Sequence, residues 1–250
     1  MSVIARRATA ALALAAAVTV GVQMTPSGAA TCVLPAFGPG RSYQPLIDPT
    51  RFGPNVDNPW YPLTPGRVDV YVGEKDGKRA LDVVAPSTRT RVIDGVTTRV
   101  VEDRLYLDAV LAERTADYYA QDDCGNVWYF GEDTAELNAH GKVTNRDGSF
   151  HSGVHGGQPG VFMPANPAIG RQFRQEWSPG QAEDRFTTLS TSAHISVPAG
   201  SWTHALRTKE ATDLEPGTLD NKVYVRGVGQ VVENAVKGPK EKLVLVEVID

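Results

Sequence analysis

His151 and His155 stand four residues apart in the run His-Ser-Gly-Val-His. Imidazoles that hold zinc often come in such pairs, completed by a ligand from elsewhere in the chain. Asp147 or Glu176 would be the acid to complete the set. The surrounding run is rich in glycine and has no helical pattern to turn both rings to one face, so the competing reading is a pair of surface-loop histidines. Carboxylates are denser: Asp122-Asp123, Glu132-Asp133 and Glu183-Asp184 could serve as acid and base, or hold calcium through oxygen ligands. Asp122, Asp123 and Asn126 around Gly125 resemble a fragment of a calcium loop, without the later glutamate of the EF-hand pattern. In an acidic chain such pairs are mostly solvated. A serine nucleophile on a sharp turn would announce itself as Gly-x-Ser-x-Gly, and that run does not occur. His194 and His204 lie among serines and threonines in β-prone runs, and nothing singles them out as part of a triad. No catalytic residue is assigned. Gly227-Val228-Gly229 follows a strand pattern with no helix pattern behind it, so no dinucleotide or phosphate-cradling loop is present and no cofactor is expected.

Large rings concentrate between Asp117 and Asp133, read as DYYAQDDCGNVWYFGED. Two β-prone runs, Tyr118 to Gln121 and Val127 to Phe130, flank Asp122-Asp123-Cys124-Gly125-Asn126, which turns readily and does not extend a strand. The spacing predicts a hairpin. Alternation puts Trp128 and Phe130 on one face and Val127 and Tyr129 on the other. The expectation is that Trp128 and Phe130, with Tyr119 and Phe162, line a concave ligand cavity. Ordinary core is the competing reading.

The elements around this hairpin read as strands between short turns. Residues 1–30 have the form of a signal peptide: Arg6 and Arg7, then the apolar run Ala10 to Val22, then Ser27-Gly28-Ala29-Ala30. Removing them leaves 23 basic and 29 acidic residues, a net charge of −6, which excludes nucleic acid as the natural partner. No later run is long and apolar enough for a transmembrane span. Residues 31–66 are punctuated by eight prolines, from Pro35 to Pro65, and read as an extended arm. Asn58-Pro59-Trp60-Tyr61-Pro62-Leu63 within it should lie across the body and bury its rings. Residues 67–250 read as a single antiparallel β domain.

Within that domain, Asp76-Gly77 and Asp94-Gly95 are hairpin turns. The long run from Val96 to Asp108 is expected to continue through a bend over Val110 to Ala116 into Tyr118. Asn138 to Gly160 reads chiefly as loop. Later strands are expected at Ser192 to Val197, Thr203 to Thr212, Lys222 to Arg226, Gln230 to Val236 and Lys242 to Ile249. The last is apolar on both faces and belongs in the middle of a sheet. The fold class is all-β with little helix, an antiparallel meander curled into a barrel or half-barrel to hide its edges, with a two-sheet β-sandwich as the alternative.

Cys32 and Cys124 are the only cysteines. Export would place them where thiols oxidise, so a disulfide is expected. The alternative is a lipid-anchored Cys32 and a free Cys124. Either way the location is secreted or extracytoplasmic.

Asn58 to Leu63, Asp117 to Asp133, Pro159-Gly160-Val161-Phe162-Met163-Pro164-Ala165 and Val223 to Gly229 together resemble a family of secreted or lipid-anchored β-rich bacterial proteins, mainly actinobacterial. A looser similarity is to curled-sheet carrier domains of bacterial envelopes. The resemblance implies an exported β domain and brings no catalytic motif. Cys124 departs from it, since a polar residue is more usual in that turn, and pairing with Cys32 would explain the departure. The functional expectation is an exported, non-enzymatic β domain that binds a lipid or other apolar or amphipathic small molecule in the concave face of a curled sheet. A secreted hydrolase using acids with His151 or His155, and a cell-surface interaction module without small ligand, are the alternatives.

Overall fold

A computed structural model of the protein describes residues 32–250; the expected leader, residues 1–30, lies outside them. The arm holds two 3-10 turns, Gly40–Ser42 and Pro49–Arg51, and a short strand, β1 (Phe52–Gly53). Five long strands follow: β2 (Val68–Lys75), β3 (Lys78–Ile93), β4 (Val96–Leu107), β5 (Val110–Asp122) and β6 (Val127–Leu137). Five shorter ones come next: β7 (Val143–Asn145), β8 (Phe150–His151), β9 (Gln158–Met163), β10 (Gln172–Arg174) and β11 (Glu176–Trp177). The chain ends with β12 (Asp184–Val197), β13 (Gly200–Thr212), β14 (Leu219–Val225), β15 (Gly229–Lys237) and β16 (Glu241–Ile249).

Thirteen of these strands form one path, β10-β12-β13-β14-β15-β16-β2-β3-β4-β5-β6-β9-β11, while β1 pairs with β5 and β7 and β8 pair with β6. All pairings are antiparallel. This single curled sheet is nearly closed into a barrel with one unsealed seam, and the sandwich alternative is set aside. The apolar strand β16 lies between β15 and β2, and so joins the end of the chain to its first long strand. At the seam, β10 pairs with β12 while β11 pairs with β9, so residues 172–177 reach both edges. Gln175 N donates to Asp184 O at 2.9 Å. A glycine is required opposite: a Cβ at Gly160 would lie 2.3 Å from the Gln175 carbonyl carbon.

Asp76-Gly77 and Asp94-Gly95 turn as expected, both residues of each pair in the left-handed region that two-residue hairpins demand. A third such turn, Asp108-Ala109 with φ of 49° and 67°, overturns the continuous run through Val110. Val110 to Ala116 is not a bend but the first half of β5. Alanine gives no turn signal, and the neighbouring strand supplies what it lacks: Asp108 N donates to Arg79 O at 2.8 Å, and Arg79 N to Asp108 Oδ1 at 3.2 Å. β12 likewise begins well before Ser192, at Asp184.

The arm is pinned to the β5–β6 hairpin through Asn58. Its backbone N donates to Gln121 Oε1 at 2.8 Å, its Nδ2 donates to Gly125 O at 2.7 Å, and its Oδ1 accepts from Trp60 N. Trp60 is buried, as expected, with the Arg226 guanidinium 5.0 Å from its ring centre. Cys32 and Cys124 are bonded, tying the start of the arm to the hairpin turn across 92 residues. The bonded pair fits an extracytoplasmic location, where thiols oxidise. Among the described residues, no helix is long and apolar enough to cross a membrane.

Candidate functional site: an acidic lumen

The inward positions of the sheet follow a two-residue rhythm that pairs an acid with an apolar side chain. β2 presents Asp69 and Tyr71, β3 Asp82 and Val84, β4 Val101 and Asp103, and β5 Asp117 and Tyr119. On β6 the inward residues are Tyr129 and Glu132, three apart, which simple alternation forbids. A bulge supplies the extra residue: Tyr118 is opposite Gly131 while Tyr119 is opposite Tyr129. Gly131 sits at φ 141°, and a Cβ there would lie 2.3 Å from Phe150 O, so only glycine carries the bulge.

These side chains enclose a cavity of about 320 Å³. One wall is aromatic. Tyr119 stacks on Tyr129 at 4.9 Å between ring centres, and Phe162 lies 5.0 Å from Tyr119 and 4.6 Å from Tyr61 of the arm. The other wall is carboxylic: among the described residues nine acids line the cavity, and Lys222 is its single lysine or arginine.

Six of these acids form two sectors. On β13 to β15, Lys222 Nζ lies 3.2 Å from Glu210 Oε2 and 3.6 Å from Glu233 Oε1. Burial alone would lower the lysine's pKa, but the two carboxylates outweigh it and hold the ammonium well above its usual range. Glu210 also accepts from Thr208 Oγ1 at 3.1 Å and from Gln175 Nε2 at 3.3 Å. On β3 to β6 the acids are Asp82, Asp103, Asp117 and Glu132. Among the described residues, no lysine or arginine lies within ion-pair distance of any of them. Burial, then the Asp103 charge, pushes Asp82 up to about 10, while burial raises its partner Asp103 to about 6. Burial and the same Asp103 charge lift Asp117 to about 7, although the Tyr129 hydroxyl donates to its Oδ1 at 2.6 Å. Glu132 is pushed well above the usual carboxylate range by burial and by Asp117, which stands directly opposite it across the strand pair.

The pairs adjacent in sequence do not act together, because neighbours on a strand point to opposite faces. Glu132 faces the lumen and Asp133 the outside, where it accepts from Tyr118 OH at 2.6 Å and Arg91 Nη1 at 2.5 Å. Asp184 lines the cavity, whereas Glu183 accepts from Gly180 N in a turn. The calcium-loop reading of Asp122 and Asp123 fails on their partners. Asp122 accepts from Cys124 N, Asn126 N, Asn126 Nδ2 and Trp128 Nε1, which makes it the organiser of the hairpin turn, and Asp123 pairs with Arg51. His151 Nε2 lies 3.1 Å from Asp133 Oδ1, an ion-pair distance without hydrogen-bond alignment. His155 lies with it along an outer groove, on a left-handed turn at φ 51°. The two do not join a cluster of metal-ligating side chains among the described residues, and neither do Asp147 and Glu176.

Tyr119 and Phe162 line the cavity, but the expectation for Trp128 and Phe130 is corrected. Both project from the other face of β6, where Phe52 of the arm packs edge-on against them at 5.7 Å and 5.6 Å. Val100, Val161, Phe173 and Phe186 complete that buried cluster. The inward pair is Val127 and Tyr129. Alternation separates the two pairs correctly, yet it does not say which face the arm covers.

No protein-family model matches the sequence, and no curated protein matches it. Two solved structures do. One is a Bacteroides fragilis protein described as exported with a YmcC-like fold, 13% identical, with a TM-score of 0.44 over 76% of this chain and 99% of that one. The other is a Parabacteroides distasonis protein described as a lipoprotein, 11% identical, with a TM-score of 0.42 over 76% of this chain and 98% of that one. These descriptions belong to those proteins. The actinobacterial family and the envelope carrier domains expected from the sequence find no support in these matches.

Proposed function

We propose that this chain is an exported, non-enzymatic binding domain that holds an amphipathic small molecule in the lumen of its curled sheet. The observation that carries this reading is the cavity of about 320 Å³, with one aromatic wall and one carboxylic wall inside a single sheet. Ligand pockets of comparable function combine an apolar surface for affinity with a few polar groups that fix orientation. A purely hydrocarbon ligand is a poor match, because it would leave the buried acids without partners.

Native mass spectrometry of protein purified from its own host tests the reading. The expected result is a retained small molecule that is released on denaturation and lost in Tyr119→Ser. An empty wild-type protein, from material never dialysed, would contradict it.

A further inference from the structure

The acids of the lumen are a cluster, and a cluster of acids is by itself only a strained environment. The second observation is Gln175, at the seam. Its side chain is buried, with 4% exposure, and lines the cavity. Glu210 can only accept, so the Gln175 amide turns its NH2 group toward Glu210, and its carbonyl Oε1 is left buried without a partner. Asp82 Oδ1 is buried without a partner as well. Both unmet atoms are of the kind that accepts. An occupant that completes this lumen must therefore bring N–H or O–H donors, and beside four acids without a basic partner it is favoured if it also brings positive charge.

A bare metal ion fits less well. Among the described residues, the lumen carboxylates do not converge three at a time on a point that one ion could occupy. A head group with several donors directed outward meets separated acceptors better. The aromatic wall is compatible, since the faces of Tyr119, Tyr129 and Phe162 attract a cation and accept an apolar body.

We propose that the lumen takes an organic ammonium ion, with its charged head among Asp82, Asp103, Asp117 and Glu132 and its apolar body against Tyr119, Tyr129 and Phe162. This rests on the reading of the lumen as a binding site and adds the charge class of the occupant. Lys222 takes no part, because it already serves Glu210 and Glu233 on the opposite strands.

Isothermal titration of the protein with 2-phenylethylammonium, 2-phenylethanol and 3-phenylpropionate separates the two claims. The expected result is that the ammonium binds about tenfold or more tightly than the alcohol, the equivalent of one modest charged contact, and that the carboxylate is rejected. In Asp117→Asn/Glu132→Gln the preference for the ammonium over the alcohol should collapse. Asp103→Asn, on β4 beside the strand that carries Asp117, is a second variant that should reduce the same preference should the first fold poorly. Equal binding of all three probes, or a preference that survives both variants, overturns the charge class and leaves the lumen as a binding site. Binding of none of the three overturns both.

Discussion

Asp117 and Asp133 lie on the same hairpin, one on each face, and their acidities move in opposite directions. Burial and the Asp103 charge raise Asp117 to about 7. Burial also acts on Asp133, but hydrogen bonds from Tyr118 and Arg91, with the charges of His151 and Arg91, outweigh it and hold the carboxyl below the usual range. On the outer face the acid has a basic partner in Arg91, and the rings are sealed by the arm. On the inner face the rings meet a cavity, and the acids meet other acids. Structural polar groups are found with their partners, whereas a surface that keeps unpartnered acceptors is suited to something the chain does not itself contain.

The comparison breaks most severely where the arm is released. Replacing Cys32 and Cys124 by serine removes a crosslink across 92 residues and should cost about 4–5 kcal/mol by chain entropy, read as a lowered denaturant midpoint. A change of less than about 1 kcal/mol would mean that the arm is held by Asn58 and the buried rings alone. Trp128→Ala empties the outer cluster and should cost about 3–5 kcal/mol while leaving the selectivity among lumen probes unchanged. Altered selectivity with little loss of stability would reverse the assignment of the two faces.

The pH dependence is smaller and has a definite sign. In the unfolded chain these carboxyls titrate near 4. In the folded chain Asp103 titrates at about 6 and Asp117 at about 7, so the native state holds the extra protons. The stability they contribute is fully present below about pH 4 and is lost as pH rises through 6 to 7. Thermal unfolding should occur at lower temperature at pH 8 than at pH 5; the opposite order would contradict the raised acidities of the lumen, since Asp133, held below the usual range, does not titrate in that window. The smallest effect is expected from Tyr129→Phe, which removes the hydroxyl donor to Asp117, costs about 1 kcal/mol and raises the Asp117 pKa further. An unchanged Asp117 titration in that variant would place the hydroxyl elsewhere.

Much of the architecture was legible because strand and turn chemistry is local. The aspartate–glycine turns and the doubly apolar last strand carry their reasons within a few residues, and the cysteine pair follows from there being two cysteines in the chain. The turn at Asp108-Ala109 was not legible, since its support comes from Arg79 on another strand. Nor was the site. The eye is drawn to adjacent acids, such as Glu132-Asp133, which a strand sends to opposite faces. The informative signal was an acid two places from an apolar or aromatic residue, as in Asp69 with Tyr71, Asp82 with Val84 and Asp117 with Tyr119. That rhythm repeats along successive strands, but it becomes a cavity only when curling brings the strands together, and the bulge at Gly131 shifts it by one residue on β6.

The central claim is that the inner face of this hairpin holds carboxyls without basic partners while the outer face neutralises its own. Carbon-13 NMR titration of the aspartate carboxyl carbons tests it most directly, with Asp117 and Asp133 assigned through their Asn variants. Asp117 should titrate at about 7 and Asp133 below the ordinary aspartate value, two carboxyls of one hairpin moving apart. Both titrating together near 4 would contradict the account, because the lumen would then be an ordinary solvated surface.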